Sequence, residues 1–504
     1  MIVNKYYKVI KVIKDSIDGP TPFYLENIST VDYGFKTSKD LTTRTLFYKI
    51  DDGEWYQYIS GVVKVSAGSK IYLMGDCPTG NTESFSIYFN KFSNGSIISD
   101  TTTMCNVGGY LTSLCYTQDY DTADTLTSNS CQYLFVTTSQ WSTYININSL
   151  ENLITDNILY TEQNCCNFMF GYNSSTFNKP LQNCVKFPDT LFQNVKIANS
   201  SSFNSLFGNC NFSEEGVKSF SNMKMFGSVE DVRSSGFNNC FQGCTGLTTL
   251  PEGMFSNLTS VGENSFSNCF HGCNGLTTLP EGMFSNVTST SRNSFNNCFQ
   301  GCTGLTTLPE GMFSNLTSVG ENSFSNCFRV CTGLTTLPEG MFSNVTSFGG
   351  SNSFSNCFQG CTSLQTLNND LFINVKNAVY QSFSNCFQGC TSLTTIPSGL
   401  FSNITQATGS DSFKNCFGGC TSLIITPNFK NIASVSSSGA FSNCFDGCSN
   451  LQLIYAPSMS AWTESYFQDW VKGVYPTGKM YVKSGVVPPT GTSGVPEGWQ
   501  LLNY

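Results

Sequence analysis

Histidine is nearly absent from this chain: His271 is the only one in 504 residues. The usual general base and the commonest metal ligand are therefore all but missing. Charge is scarce as well. Asp, Glu, Lys and Arg make up 12% of the residues and the net charge is −9, so the basic footprint expected for nucleic-acid binding is lacking. No apolar run approaches the ~20 residues that span a bilayer, which argues against membrane insertion. The opening stretch, Met1 to Gly19, is interrupted by lysines and does not read as a secretory leader. The final residues carry no lipid-anchor motif.

What the chain does have is cysteine, phenylalanine and repetition. Paired cysteines fall at Cys240/Cys244, Cys269/Cys273, Cys298/Cys302, Cys327/Cys331, Cys357/Cys361, Cys386/Cys390, Cys416/Cys420 and Cys444/Cys448, in steps of 29, 29, 29, 30, 29, 30 and 28 residues. A fixed period of this size signals stacked units, none of which can bury its apolar face alone. Residues 245–270 and 303–328 are the same 26 residues, as expected after duplication of a two-repeat block. His271 stands where sister repeats have Gln242, Gln300, Gln359, Gln388 and Arg329. A slot accepting such different side chains reads as solvated, not catalytic.

Within one repeat, Phe266, Cys269, Phe270 and Cys273 follow at offsets 0, 3, 4 and 7, which predicts one face of a two-turn helix capped by Asn264-Ser265. Leu276 to Leu279 is then a short strand ended by Pro280, and Met283, Phe284 and Val287 return apolar groups to the core. Stacked at ~4.8 Å, such strands would form a leucine-rich-repeat-like arc with short helices on its other face. Three roles are open to the cysteines. As small core residues they would form buried columns; as disulfides, two positions four apart on a helix are poorly aimed; as zinc ligands they lack histidine partners. Phenylalanine flanks every pair, which favours the first role, and unbridged thiols suit a reducing compartment. The sequon residues Asn257, Asn286, Asn315, Asn344 and Asn403 all sit in the same turn, where Asn and Thr serve the backbone.

The fold class read from this pattern is α+β, in three parts. Residues 1–105 form an antiparallel β-sandwich-like domain, with strands at 45–50, 54–56, 62–65, 71–73 and 84–89. Trp55 and its neighbouring tyrosines read as packing residues, with sugar binding the rarer use. Residues 106–455 form the solenoid, irregular over 106–235 and regular over 236–455. Its worn turns lie at Cys131–Phe135, Cys166–Phe170, 177–192 and Phe203–Cys210. Residues 456–504 are a C-terminal cap, with Trp462, Tyr466, Phe467 and Trp470 on one helical face and a strand at 478–482.

Phe387 to Pro397 (FQGCTSLTTIP) resembles the BspA-type leucine-rich repeat of gut Bacteroidota and their bacteriophages. Val107 to Leu114 is similar to that family's junction between β-domain and repeats, and 470–474 with 494–499 resemble its C-terminal closure. The resemblance implies an adhesion or interaction role, on cell surfaces or phage particles, and no chemistry. Lack of a leader or anchor favours the virion version, a tail or fibre component made in the host cytoplasm. A bacterial cell-surface or secreted adhesin is the alternative. Its partners would be a host surface glycan or protein, or other virion proteins; the sequence leaves oligomeric state open. No catalytic residue, cofactor or metal site is expected. A glycan-processing enzyme is the remote alternative, through the carboxylate column Glu252, Glu281, Glu310 and Glu339. The candidate binding face is the exposed column Thr248, Thr277, Thr306, Thr335, Gln365, Thr394, Ile424 and Gln452, which equally suits plain strand packing.

Overall fold

The computed structural model describes residues 21–37, 45–76, 87–93, 96–97, 105–114, 123–132, 134–135, 147–171, 184–212 and 214–504. The chain divides into two compact units, Met1–Phe255 and Ser256–Tyr504. Its regular elements are mostly strands, in several small sheets, with repeated units at regular spacing. Among the described residues one α-helix is present, α1 (Glu214–Asn222).

The first unit opens on two sheets. One is built from β1 (Phe23–Asn27), β3 (Thr45–Ile50), β4 (Tyr56–Tyr58), β6 (Lys70–Asp76), β9 (Cys105–Tyr110) and β11 (Ile147–Ile154); the other from β2 (Tyr33–Thr37), β5 (Val63–Val65), β7 (Ile87–Ser93) and β8 (Ser96–Ile97). All pairings are antiparallel except β9 with β11. The expected turn at Asp51-Asp52-Gly53 joins β3 to β4. Ser84 to Ser86, at the start of the expected strand 84–89, lie outside the described residues. Trp55 is buried against Phe47 and Met74, as a packing residue should be.

Further along this unit, three of the worn turns, at 131–135, 166–170 and 203–210, share one structure. Phe135, Phe170, Phe207 and Phe241 stack in one column, with ring centroids 5.2, 5.3 and 5.5 Å apart. Two-residue parallel strands at Tyr160–Thr161, Ile197–Ala198 and Asp231–Val232 run beside them. Residues 177–183 of the expected copy lie outside the described residues, but Phe187 and Phe192 are buried. Helix α1 was not legible in the pattern. It replaces part of a repeat and drives Phe220 edge-on into Phe187, Phe207 and Phe241.

In the second unit the expected two-turn helix is not a helix. Asn264, Asn268 and Gly272 have φ of 56°, 54° and 74°, so every fourth residue is left-handed, whereas an α-helix needs φ near −63° throughout. The segment is a series of overlapping turns. Alternate N–H groups bond three residues back, as Cys269 to Phe266 O and Cys273 to Phe270 O, both at 3.1 Å. The intervening ones donate to the next repeat, as Phe266 to Ser294 O, Phe270 to Cys298 O and Gly272 to Gln300 O, all at 2.8 Å. Every backbone donor is thus used although no helix of this length would be stable alone. Offsets of 0, 3, 4 and 7 fit a four-residue turn period as well as a helical one, and Asn and Gly are the residues that reach the left-handed region most cheaply.

The strands are also displaced from their expected place. The Leu-Thr-Thr-Leu segments share only single bonds, such as Thr306 N–H to Thr277 O and Thr335 N–H to Thr306 O at 3.2 Å. Proline follows each one and cannot extend a ladder. The two-residue parallel strands lie instead after the Phe-Ser-Asn turn, at Ser318–Val319 with Ser347–Phe348, and at Asn377–Ala378, Gln406–Ala407 and Ser434–Val435.

The core consists of aromatic columns. From Phe270 to Phe445 one ring per repeat stacks on the next, with centroids 5.2 to 5.8 Å apart and planes within 8° of parallel. Beside it run the cysteines, as buried thiols. Cys302, Cys331 and Cys361 donate S–H to the carbonyls of Phe270, Phe299 and Phe328 in the repeat before, at 3.1, 3.1 and 3.2 Å. Burial pushes the Cys302, Cys361 and Cys420 thiols up to about 12, so they stay protonated and poorly reactive at neutral pH.

One residue breaks the turn pattern. Val330 stands in the column of left-handed glycines that includes Gly301, Gly360 and Gly389, and it adopts φ 60°. A β-branched residue there is strained by ~1–2 kcal/mol or more, against ~0.5–1 kcal/mol of extra unfolded-state entropy for glycine. Val330→Gly should therefore stabilise the protein by about 1 kcal/mol. A lowered denaturation midpoint for this variant would show that the position is not strained.

At the C-terminal end, residues 466–473 form one more turn of the ladder, not the expected helical face; only Glu464–Tyr466 is helical, as a short 3-10 turn. Phe441, Phe445 and Gly447 donate to the carbonyls of Tyr466, Trp470 and Lys472 at 2.8 Å. Phe467 stacks on Phe441 at 5.3 Å. The ladder ends where Asp469 N–H meets Ser493 Oγ and Val471 N–H meets Thr492 O, both at 3.2 Å. The expected strand is present at Lys479–Val482, parallel to Leu453–Tyr455 and Gln500–Asn503.

Candidate binding surface

The threonine column is where the pattern put it, although its backbone is not a regular strand. In the first unit Thr248 is exposed. In the second, Thr277, Thr306, Gln365, Thr394, Ile424 and Gln452 are exposed and Thr335 is half-buried. Most neighbouring members are joined through the backbone, as Gln365 N–H to Thr335 O at 3.1 Å, Ile424 N–H to Thr394 O at 3.1 Å and Gln452 N–H to Ile424 O at 2.9 Å. Leucines on either side, such as Leu276 and Leu279, are buried and fix the height of the threonines above the core. The resulting surface is uncharged and evenly spaced, broken only by Ile424, which is 42% exposed.

The glutamate column lies on exposed turns, with Glu252 in the first unit and Glu281, Glu310 and Glu339 in the second. Further along, Asn368 takes the position and donates to Leu337 O at 2.7 Å. The sequon asparagines are engaged with backbone: Asn286, Asn315 and Asn344 donate to Ser256, Ser285 and Ser314 carbonyls at 2.7, 2.9 and 2.7 Å. A glycan on those amide nitrogens would take one of the two N–H donors of each.

The slot holding His271 is not simply solvated. Its residues are half-buried, and burial lowers the pKa of His271, keeping the ring neutral at pH 7. Side chains in this slot join along the stack: Arg329 Nε donates to Gln359 Oε1 at 2.6 Å, and Gln359 Nε2 donates to Gln388 Oε1. Sequence reasoning missed this ladder, because variation between Gln, Arg and His looks like indifference. All three are donors long enough to reach the adjacent repeat.

The first unit carries a cavity of about 630 Å³ that includes Tyr24, Tyr72, Asn152, Asp156 and Asp189. Its two rings are covered by ammonium groups: Lys70 Nζ lies 4.5 Å from the Tyr24 ring and Lys49 Nζ 4.9 Å from Tyr72. Among the described residues no cluster of three His, Cys, Asp or Glu side chains converges to hold a metal ion. No helix of the described residues is long and apolar enough to cross a membrane. The chain matches no protein-family model and no curated protein sequence.

Proposed function

We propose that this is a non-enzymatic interaction protein with an N-terminal β-sandwich-like domain, a BspA-like leucine-rich-repeat solenoid and a C-terminal cap. On this reading it is a bacteriophage virion component, of tail or fibre, that contacts the host cell surface or other virion proteins. The observation that carries the proposal is the exposed, uncharged threonine column, held in register by backbone bonds between most of its neighbouring members. Such a regular face suits many equivalent weak contacts with a repetitive surface. The buried thiols support assembly in a reducing compartment, which favours the virion over a secreted adhesin. Glutamates on separate exposed turns suit solvation better than acid–base catalysis, which needs a pair of carboxylates in different surroundings.

The test is binding of labelled protein to intact Bacteroidota cells, with the supernatant followed for released sugars. Saturable binding without release is expected. Deleting residues 246–303 keeps the register, because Gly304 then takes the place of Gly246. The shortened protein should fold, with cell binding weakened several-fold as avidity is lost. Sustained release of glycan products, abolished by changing one carboxylate, would replace this reading with an enzymatic one.

A further inference from the structure

The slot ladder that runs through Arg329, Gln359 and Gln388 stops at Gly418. Gln388 accepts from Gln359 through Oε1, but its own Nε2 has no onward acceptor, because Gly418 has no side chain. The next slot residue, Asp446, lies two repeats beyond Gln388, a gap of ~10 Å at ~4.8 Å per step, too wide for a direct bond. A second group is left unpaired at the same place. Asn268, Asn326, Asn356 and Asn385 each donate Nδ2 to the hydroxyl of the serine before them, at 3.0 to 3.1 Å. Asn415 follows Lys414 instead, so its amide lacks that partner.

Backbone geometry does not demand glycine at 418. Unlike Gly419, at φ 72°, it is not left-handed. Sister repeats carry glutamine there on the same turn. A Cβ at 418 would meet Asn443 O at 3.3 Å and Asn415 O at 3.5 Å, within a few tenths of an ångström of comfort. The missing side chain widens an open groove of about 470 Å³ that extends back to Gln359 and Gly360. Gly389, Gly419 and Gly447 form its floor, and Gln388, Asn415 and Asp446 are half-buried in its walls.

We propose that this notch binds a saccharide unit, with Gln388 and Asn415 donating to ring or hydroxyl oxygens and Asp446 accepting from a hydroxyl pair. The choice of a glycan as source rests on the adhesion reading above; the geometry does not. The donor set selects a neutral polyol. No lysine or arginine lines the notch and Asp446 would repel an anion. One carboxylate and two amides fall short of the ~6–8 oxygens a calcium ion takes.

The experiment is saturation-transfer NMR on the full chain with glucose, galactose, mannose, fucose and N-acetylglucosamine at about 10 mM, suited to millimolar Kd. At least one sugar should bind. Gly418→Gln, which extends the ladder, takes up the free Gln388 amide and narrows the notch at its centre, should abolish that binding and leave the circular dichroism spectrum unchanged. Asp446→Asn should weaken it by about tenfold. Absence of binding by every sugar, or equal binding by Gly418→Gln, overturns the notch. So does calcium binding, read by calorimetry, that disappears in Asp446→Asn. Host-cell binding by a chain that binds none of the sugars removes the notch and leaves the adhesion reading intact; sugar binding at the notch without cell binding does the reverse.

Discussion

Raising the pH from about 9 to about 12 should unfold the second unit steeply, with thiolate absorbance appearing as secondary structure is lost. An exposed cysteine thiol ionises near 9.0, whereas Cys302, Cys361 and Cys420 are held at about 12 by burial. Below pH 9 each is protonated in both states and adds no pH dependence. Above it the unfolded chain gives up protons that the folded chain retains, so stability falls as pH rises. Each such thiol contributes a slope of about 1.4 kcal/mol per pH unit. The three together remove stability of order 10 kcal/mol across the window, comparable with the ~5–15 kcal/mol of a whole domain. Other buried repeat thiols, such as Cys327 and Cys386, shift in the same direction through desolvation. Cys361→Ala should flatten the slope by about one thiol's share. Thiolates forming at pH 10 in a protein whose circular dichroism is intact would mean that the sulfur columns are open to water.

Truncating one ring of the aromatic column should cost more than any surface change. Phe299 is fully buried and stacks between Phe270 at 5.2 Å and Phe328 at 5.3 Å. Phe299→Ala leaves a cavity that neighbouring repeats cannot close without breaking their backbone bonds, so a loss of about 3–5 kcal/mol is expected. Glu310, on an exposed turn, should change stability by no more than ~0.5 kcal/mol when replaced by Ala. Hydrogen exchange should place the damage of Phe299→Ala in the flanking repeats. Equal effects from the two substitutions would contradict the assignment of the core.

The repeat length, the apolar columns and the exposed threonines were legible because identical units repeat the same burial eight times over. Local conformation was not. Phe266, Cys269, Phe270 and Cys273 satisfy helix and turn spacing alike, and the deciding signal was the polar residues between them. Asn264, Asn268 and Gly272 recur every fourth position, which no amphipathic helix requires but a left-handed turn residue does. Strand position failed for a related reason: Leu276 to Leu279 looks extended, but Pro280 limits its bonding. In the first unit, β1 and β2 lack clean alternation because each lies between two neighbours and is buried along most of its length. The notch at Gly418 was open to discovery in the sequence. Following the slot beyond Gln388 to Gly418 and Asp446 would have shown a gap in a row of long donors.

The alternation of bonds in the turn ladder has a mechanical consequence. Half of the ladder's backbone bonds in the second unit run from one repeat to the next, along the direction of stacking. Tension applied along that direction loads these bonds together at each junction, and slack can pass to a neighbour only after a whole junction has parted. Each repeat of about 29 residues would then release ~100 Å of chain at ~3.4 Å per residue. A stack built this way lengthens in discrete steps and absorbs work at each one, so the parting of one junction need not release its neighbours.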